Sequence, residues 1–114
     1  MSYQTIFPQI KILRNAYKDT KSPIWMKLIK IAQSSYKNKV VNINKIKTYS
    51  KDGDFVVCPC KVLGTGLIEH KITLASFGIS LAAINKIIKS GGKVVDFEHM
   101  INQFPTGKGV IIIG

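Results

Sequence analysis

The chain has 114 residues, 46% of them hydrophobic and 20% charged, enough apolar material for one domain to bury a core without disulfides or metal. Seventeen basic residues against six acidic ones leave a net charge of +11, and the two cysteines stand only two positions apart. That composition argues against a disordered tail and a disulfide-framed secreted module, and favours a reducing interior. No stretch approaches the roughly 20 apolar residues needed to cross a bilayer, and MSYQTIFPQIK lacks the basic start, apolar middle and cleavage site of a secretion signal. No membrane partner is expected.

From Pro8 to about Lys18, Ile10, Leu13, Ala16 and Tyr17 recur at helical spacing, leaving Lys11, Arg14 and Lys18 on the opposite face. Ser22 reads as the N-cap of a second helix with Pro23 at its first position and Ile24, Trp25, Leu28, Ile29 and Ala32 as its apolar stripe. A polar, basic loop covers residues 34–39. Residues 40–43 form a short strand, and Asn44 caps a single turn that carries Lys45, Lys47 and Tyr49. Asp52-Gly53 marks a turn. Residues 55–62 and 72–77 read as buried strands, joined through Gly64-Thr65-Gly66 into a β-hairpin.

Ser80 caps a helix with Leu81, Ile84, Ile87 and Ile88 facing inward, ended by Gly91-Gly92 with Lys89 near its negative end. Val94-Val95 makes a short strand, and Asp96 caps a last helix that runs to about Gln103 before Pro105 stops it. Residues 109–113 form a final strand. The alternation predicts an α/β domain, with a basic, mainly helical part over residues 1–51 and helices on a mixed sheet over residues 52–114.

The charge is uneven. Residues 1–51 hold eleven basic residues and Asp19 as their one acid, a balance of +10, whereas residues 52–114 hold six basic and five acidic residues, a balance of +1. Such asymmetry points to a polyanion met by one region. Sixteen of the seventeen basic residues are lysines, with Arg14 the exception. Lysines suit point contacts to phosphates, whereas arginines suit forked readout of guanine edges, so backbone and shape recognition of nucleic acid is expected.

Other chemistries fit the motifs less well. Gly64-Thr65-Gly66 lacks the third glycine of a dinucleotide loop, is followed by a strand, and has Glu69 where a phosphate would lie. Gly107-Lys108-Gly109 lacks the remainder of a P-loop. Cys58 and Cys60 with His70 and His99 supply four candidate zinc ligands but not the usual spacing, and two cysteines on one strand face read as buried apolar residues. Thioredoxin-type spacing is absent. The acids have turn and capping positions, and no catalytic constellation stands out. What remains is a basic cluster, Lys37, Lys39, Lys45 and Lys47, with Tyr36 and Tyr49 placed to stack on a base or ribose, and His70 beside Lys71 facing a phosphate or base. A DNA-associated chromatin or regulatory protein is an open alternative, although no helix-turn-helix with a polar recognition helix is visible. A small enzyme acting on a nucleotide or RNA is the third.

Residues 22–80, SPIWMKLIKIAQSSYKNKVVNINKIKTYSKDGDFVVCPCKVLGTGLIEHKITLASFGIS, and 86–114, KIIKSGGKVVDFEHMINQFPTGKGVIIIG, resemble the family of archaeal L-eighteen-e and bacterial L-fifteen ribosomal proteins. The signature is the order of GDFVV, VLGTG followed by HK, SGGKV and the terminal PTGKGVIIIG, and the likeness runs from about Ile10 to Gly114. The resemblance implies one compact α/β domain over residues 1–114 built of irregular strand-strand-helix turns, placed in the cytoplasm within the large ribosomal subunit. Its implied partners are large-subunit ribosomal RNA and neighbouring large-subunit proteins, with no catalysis, cofactor or small-molecule substrate. Composition and resemblance together nominate Arg14, Lys18, Lys21, Lys37, Lys39, Lys45, Lys47, Tyr49, Lys61, Gly64, Gly66, His70, Lys71 and Lys108 as RNA-contacting residues. Cys58 and Cys60 replace small or apolar residues and take no family role. The long basic C-terminal extension of eukaryotic relatives is absent, which favours an archaeal source.

Overall fold

A computed structural model describes residues 3–35 and 40–114, with side chains over 8–33 and 40–114. In chain order the elements are α1 (Tyr3–Thr20), α2 (Pro23–Ser35), β1 (Val40–Asn42), α3 (Ile43–Tyr49), β2 (Asp54–Leu63), β3 (Ile72–Ile79), α4 (Leu81–Lys89), β4 (Lys93–Val94), α5 (Phe97–Gln103) and β5 (Val110–Ile112). The fold is α/β, as the pattern predicts. Ser80 caps α4 by accepting from the Ala83 amide, and Asp96 caps α5 by accepting from the His99 amide. Two local expectations differ. Asn42 rather than Asn44 precedes α3, without a side-chain cap. In α4, Leu81 and Ile88 are 72% and 58% exposed, so Ala83 and Ile87 are the residues that face inward.

The sheet departs further from the sequence reading. All its described pairings are parallel, in the order β1-β2-β3-β4 with β5 also on β2, so residues 52–114 do not form a mixed sheet. β2 and β3 are therefore not a hairpin: Asp54 lies opposite Ile72, and both strands run the same way. Gly64–Lys71 must return along the whole length of β2. Ten strand residues cover about 30 Å at roughly 3.3 Å each. The connection between Leu63 and Ile72 reaches about that distance only if nearly straight. A parallel crossover usually takes a dozen residues or more and a helix. Here it is a taut strap.

Pro59 sits mid-strand without disrupting the ladder because the ladder has a gap there. β5 pairs with β2 at Phe55–Val57 and β1 pairs with it at Lys61–Leu63, on either side of the proline. The β3 register also shifts between Cys58 and Lys61. A proline's missing N–H costs little where no partner waits for it.

Strand alternation sends side chains to two cores. Val57, Ala75 and Phe77 pack with Ile10, Leu13 and Trp25 under α1, α2 and α5, where Phe77 and Phe97 meet edge-on at 5.0 Å. Val56, Cys58, Cys60 and Val62 pack with Ile43, Ile46, Ala83 and Ile87 under α3 and α4. Helices thus cover both faces, which is why the parallel strands read as near-continuous apolar runs. Both cysteines are buried on one face, as strand alternation predicts. Hydrogen bonding to the Cys60 side chain, together with burial, pushes the Cys58 thiol well above its ordinary range.

Candidate nucleic-acid interface

The strap Gly64–Lys71 is fixed at both ends and in the middle. At its start, Lys86 of α4 donates to the Gly64 carbonyl and, at 2.6 Å, to the Gly66 carbonyl. α4 offers small residues here: a Cβ on Gly64 would stand 2.8 Å from the Ala82 Cβ. Gly66 has φ +103, and a Cβ there would lie 2.6 Å from the Asn44 Oδ1, so only glycine fits. At the midpoint Ile68 is buried in the α3–α4 core. At the far end, Asp52 Oδ1 accepts from the Lys71 amide at 2.8 Å, and the Gly53 amide donates to the Lys71 carbonyl at 2.8 Å.

α3 lies alongside this strap and is pinned to it twice. The Asn44 amide donates to the Thr65 carbonyl at 3.3 Å, and Ser50 Oγ pairs with His70 Nε2 at 2.8 Å. The buried Ile43 and Ile46 then turn the rest of the helix to solvent. Lys45, Lys47 and Tyr49 are exposed, Tyr49 at 64%. Lys45 Nζ also reaches the Gly114 carbonyl at 3.4 Å. The structure therefore brings Gly66 and His70 against α3 and Gly64 against α4 as one surface, while Lys45 and Tyr49 line a groove with Ile111, Ile112, Ile113 and Gly114 and the Lys71 stem packs against Gly91 after α4. His70 is half-buried against Ser50, so its ring braces that surface more than it projects from it.

The other predicted residues lie elsewhere. Arg14 and Lys18 are exposed on α1, and Lys21 stands in the turn to α2, across the sheet from α3. Lys108 is exposed in the turn before β5. That turn docks on α2 through Trp25 Nε1, which donates to the Pro105 carbonyl at 2.8 Å, and through Ser22 Oγ, which donates to the Thr106 carbonyl. Lys61 is half-buried within β2. Tyr36, Lys37 and Lys39 lie outside the described residues. The described basic residues of the N-terminal half thus occupy both faces of the sheet and not the single front that the charge count suggests.

Sequence reasoning missed Lys86, which lines up with the buried Ala83 and not with the solvent face of α4. It also missed Ser50. The pair Ala82-Ala83 was the available signal, since small residues on a helix let another backbone come close. Three acids with the chemistry of catalytic groups serve backbone amides instead: Asp52 holds Lys71, Asp54 accepts from Lys51 at 2.7 Å and Asp96 caps α5.

Comparison with known proteins converges on one group. Residues 20–95 match a family described as the ribosomal proteins 50S-L15 and 50S-L18e with their 60S counterpart L-twenty-seven-A. Three archaeal relatives carry the description "Large ribosomal subunit protein eL18". That of Methanospirillum hungatei is 31% identical over 105 residues, covering 91% of this chain and 87% of the relative. That of Pyrobaculum aerophilum is 33% identical over 104 residues, covering 90% and 85%. The Methanococcus maripaludis protein is 35% identical over 104 residues, covering 90% and 86%. The resemblance carried by GDFVV, VLGTG, SGGKV and PTGKGVIIIG is confirmed, and the chain belongs to this family of large-subunit ribosomal proteins.

Proposed function

We propose that the protein is a structural constituent of the large ribosomal subunit in the cytoplasm, bracing ribosomal RNA beside neighbouring subunit proteins, without catalysis, cofactor or small-molecule substrate. Its domain is read as a single unit over residues 1–114. The observation that carries the reading is the α3–strap surface: an exposed tyrosine and lysines on a helix locked at both ends to a taut, glycine-bearing segment. Ammonium groups displace counterions from packed phosphates, and a rigid support keeps the paired strands in one mutual geometry. The glycines at 64 and 66 let α4 and α3 pack closely on the strap, so the lysine-bearing helix is held in one position toward an RNA backbone. Lys37 and Lys39 extend the proposed contact, and Arg14, Lys18, Lys21, Lys61 and Lys108 supply a second one across the sheet.

The double substitution Lys45→Glu with Lys47→Glu tests this. Both side chains are exposed, so the fold persists and urea stability changes by less than about 1 kcal/mol, about 0.5 for each substitution. Affinity for large-subunit RNA fragments falls, and the slope of log affinity against log salt becomes shallower by about two, one unit per lost phosphate contact. An unchanged slope removes α3 from the interface. Equal affinity of the native protein for DNA duplex and ribosomal RNA would favour the DNA-associated alternative.

A further inference from the structure

Across the sheet from α3, a groove of about 370 Å³ runs between the end of α1 and the outer side of α2. Pro23, Met26 and Ile31 contribute its apolar part, beside the ring of Tyr17. Lys21, Lys27 and Lys30 contribute three ammonium groups, and no carboxylate lines it. Asp19, the one acid of the N-terminal half, lines a different groove with Glu98 on the α5 side. Lys27 and Lys30 are three positions apart on α2 and share a face.

Lys21 gives the groove a second distinguishing feature. It is the one non-glycine residue with positive φ among the described residues, at φ 57. That left-handed position after a helix usually belongs to glycine or asparagine, and a side chain there costs about 1 kcal/mol or more. Its amide donates to the Tyr17 carbonyl at 2.7 Å, and its ammonium stands 5.6 Å from the centre of the Tyr17 ring. Unfavourable backbone held in place by its surroundings tends to mark a binding site.

We propose that this groove receives one unpaired RNA nucleotide, its base on the Pro23–Met26–Ile31 floor beside Tyr17 and its flanking phosphates met by Lys21, Lys27 and Lys30. This rests on the RNA-binding reading above and adds a nucleotide-sized site to it. The volume falls within the roughly 300–1,000 Å³ of small-molecule sites, too small for a duplex but sufficient for a base with its ribose. A paired strand would offer phosphates but no base face to an apolar floor. An acidic peptide would match the lysines but leave that floor uncovered.

The test compares two RNA hairpins of equal length, one fully paired and one with a single unpaired nucleotide, binding the full chain. Covering one face of a base with apolar side chains contributes roughly 1–1.5 kcal/mol, so the bulged hairpin binds about tenfold tighter. Lys27→Ala with Lys30→Ala reduces that preference to below about twofold and makes the salt slope shallower by about two. Met26→Ser weakens the preference without changing the salt slope. Equal affinity of the native chain for both hairpins overturns the inference and leaves RNA binding standing; binding to neither overturns both. A preference that survives in both variants places the bulge elsewhere and overturns the site. So does oligoglutamate that shifts the Lys27 and Lys30 amide resonances at lower concentration than the bulged hairpin.

Discussion

Replacing Lys86 by methionine isolates the joint between α4 and the strap. Methionine keeps a stem of similar length and bulk, so the packing beside Ala83 and Ile87 is retained while the ammonium is removed. What is lost is a cation shared by the Gly64 and Gly66 carbonyls. A hydrogen bond to a charged group contributes about 1.5–3 kcal/mol, and a half-buried site, where water partly replaces the lost donor, puts the total for the pair at roughly 2–3 kcal/mol. Over 114 residues, an unfolding entropy of about 2.1 cal/mol/K per residue converts this into a drop in Tm of about 10 °C. Trp25 is the sole tryptophan and is fully buried, so its emission follows unfolding in urea without a label. The variant should show a lower midpoint at unchanged slope and faster amide exchange over residues 64–68. RNA affinity should fall while its salt slope stays constant, because this ammonium is already committed to carbonyls. A stability loss below about 0.5 kcal/mol would mean that the strap stands without Lys86, and the reasoning would fail.

Gly66→Ala combines a left-handed backbone with a Cβ 2.6 Å from Asn44 Oδ1, so it should cost about 1–3 kcal/mol in thermal unfolding; a neutral result would show that α3 can move aside freely. Cys58, buried and with its thiol pushed up, should resist a soluble thiol reagent until the chain unfolds, and labelling of the native protein at the unfolded rate would contradict that burial. The same group makes stability pH-dependent. Its folded pKa lies above the unfolded value of about 8.5, so the folded state holds a proton that the unfolded state releases above that pH. Its contribution is fully present below pH ~8.5 and declines above it by up to about 1.4 kcal/mol per pH unit. Urea titrations from pH 8 to 10 should show a shallower decline in Cys58→Ala than in the native protein; parallel declines would refute the assignment.

What the sequence disclosed about this fold was local, and what it hid was pairing. The Ser80 and Asp96 caps, the α2 stripe and the turn at Asp52-Gly53 all depend on neighbours a few residues apart, and each appears where its signal lies. The strap does not. Gly64-Thr65-Gly66 between two apolar runs is the usual grammar of a hairpin, and only the long-range register of Asp54 on Ile72 reveals a parallel crossover. In α4, hydrophobicity alone assigns Leu81 and Ile88 to the core, while Lys86 escapes notice because a lysine three residues from Ala83 reads as surface. The charge count finds the basic half of the chain but cannot see that α1 and α3 take opposite faces of one sheet. The order of family signatures is legible because it needs no three-dimensional inference at all.

The most direct measurement is sedimentation of the native protein from its own cells through a sucrose gradient at rising salt. Co-migration with the large ribosomal subunit through washes that strip loosely held basic proteins is the predicted result. Release to the top of the gradient at low salt, with intact subunits below it, would contradict a structural place in the subunit.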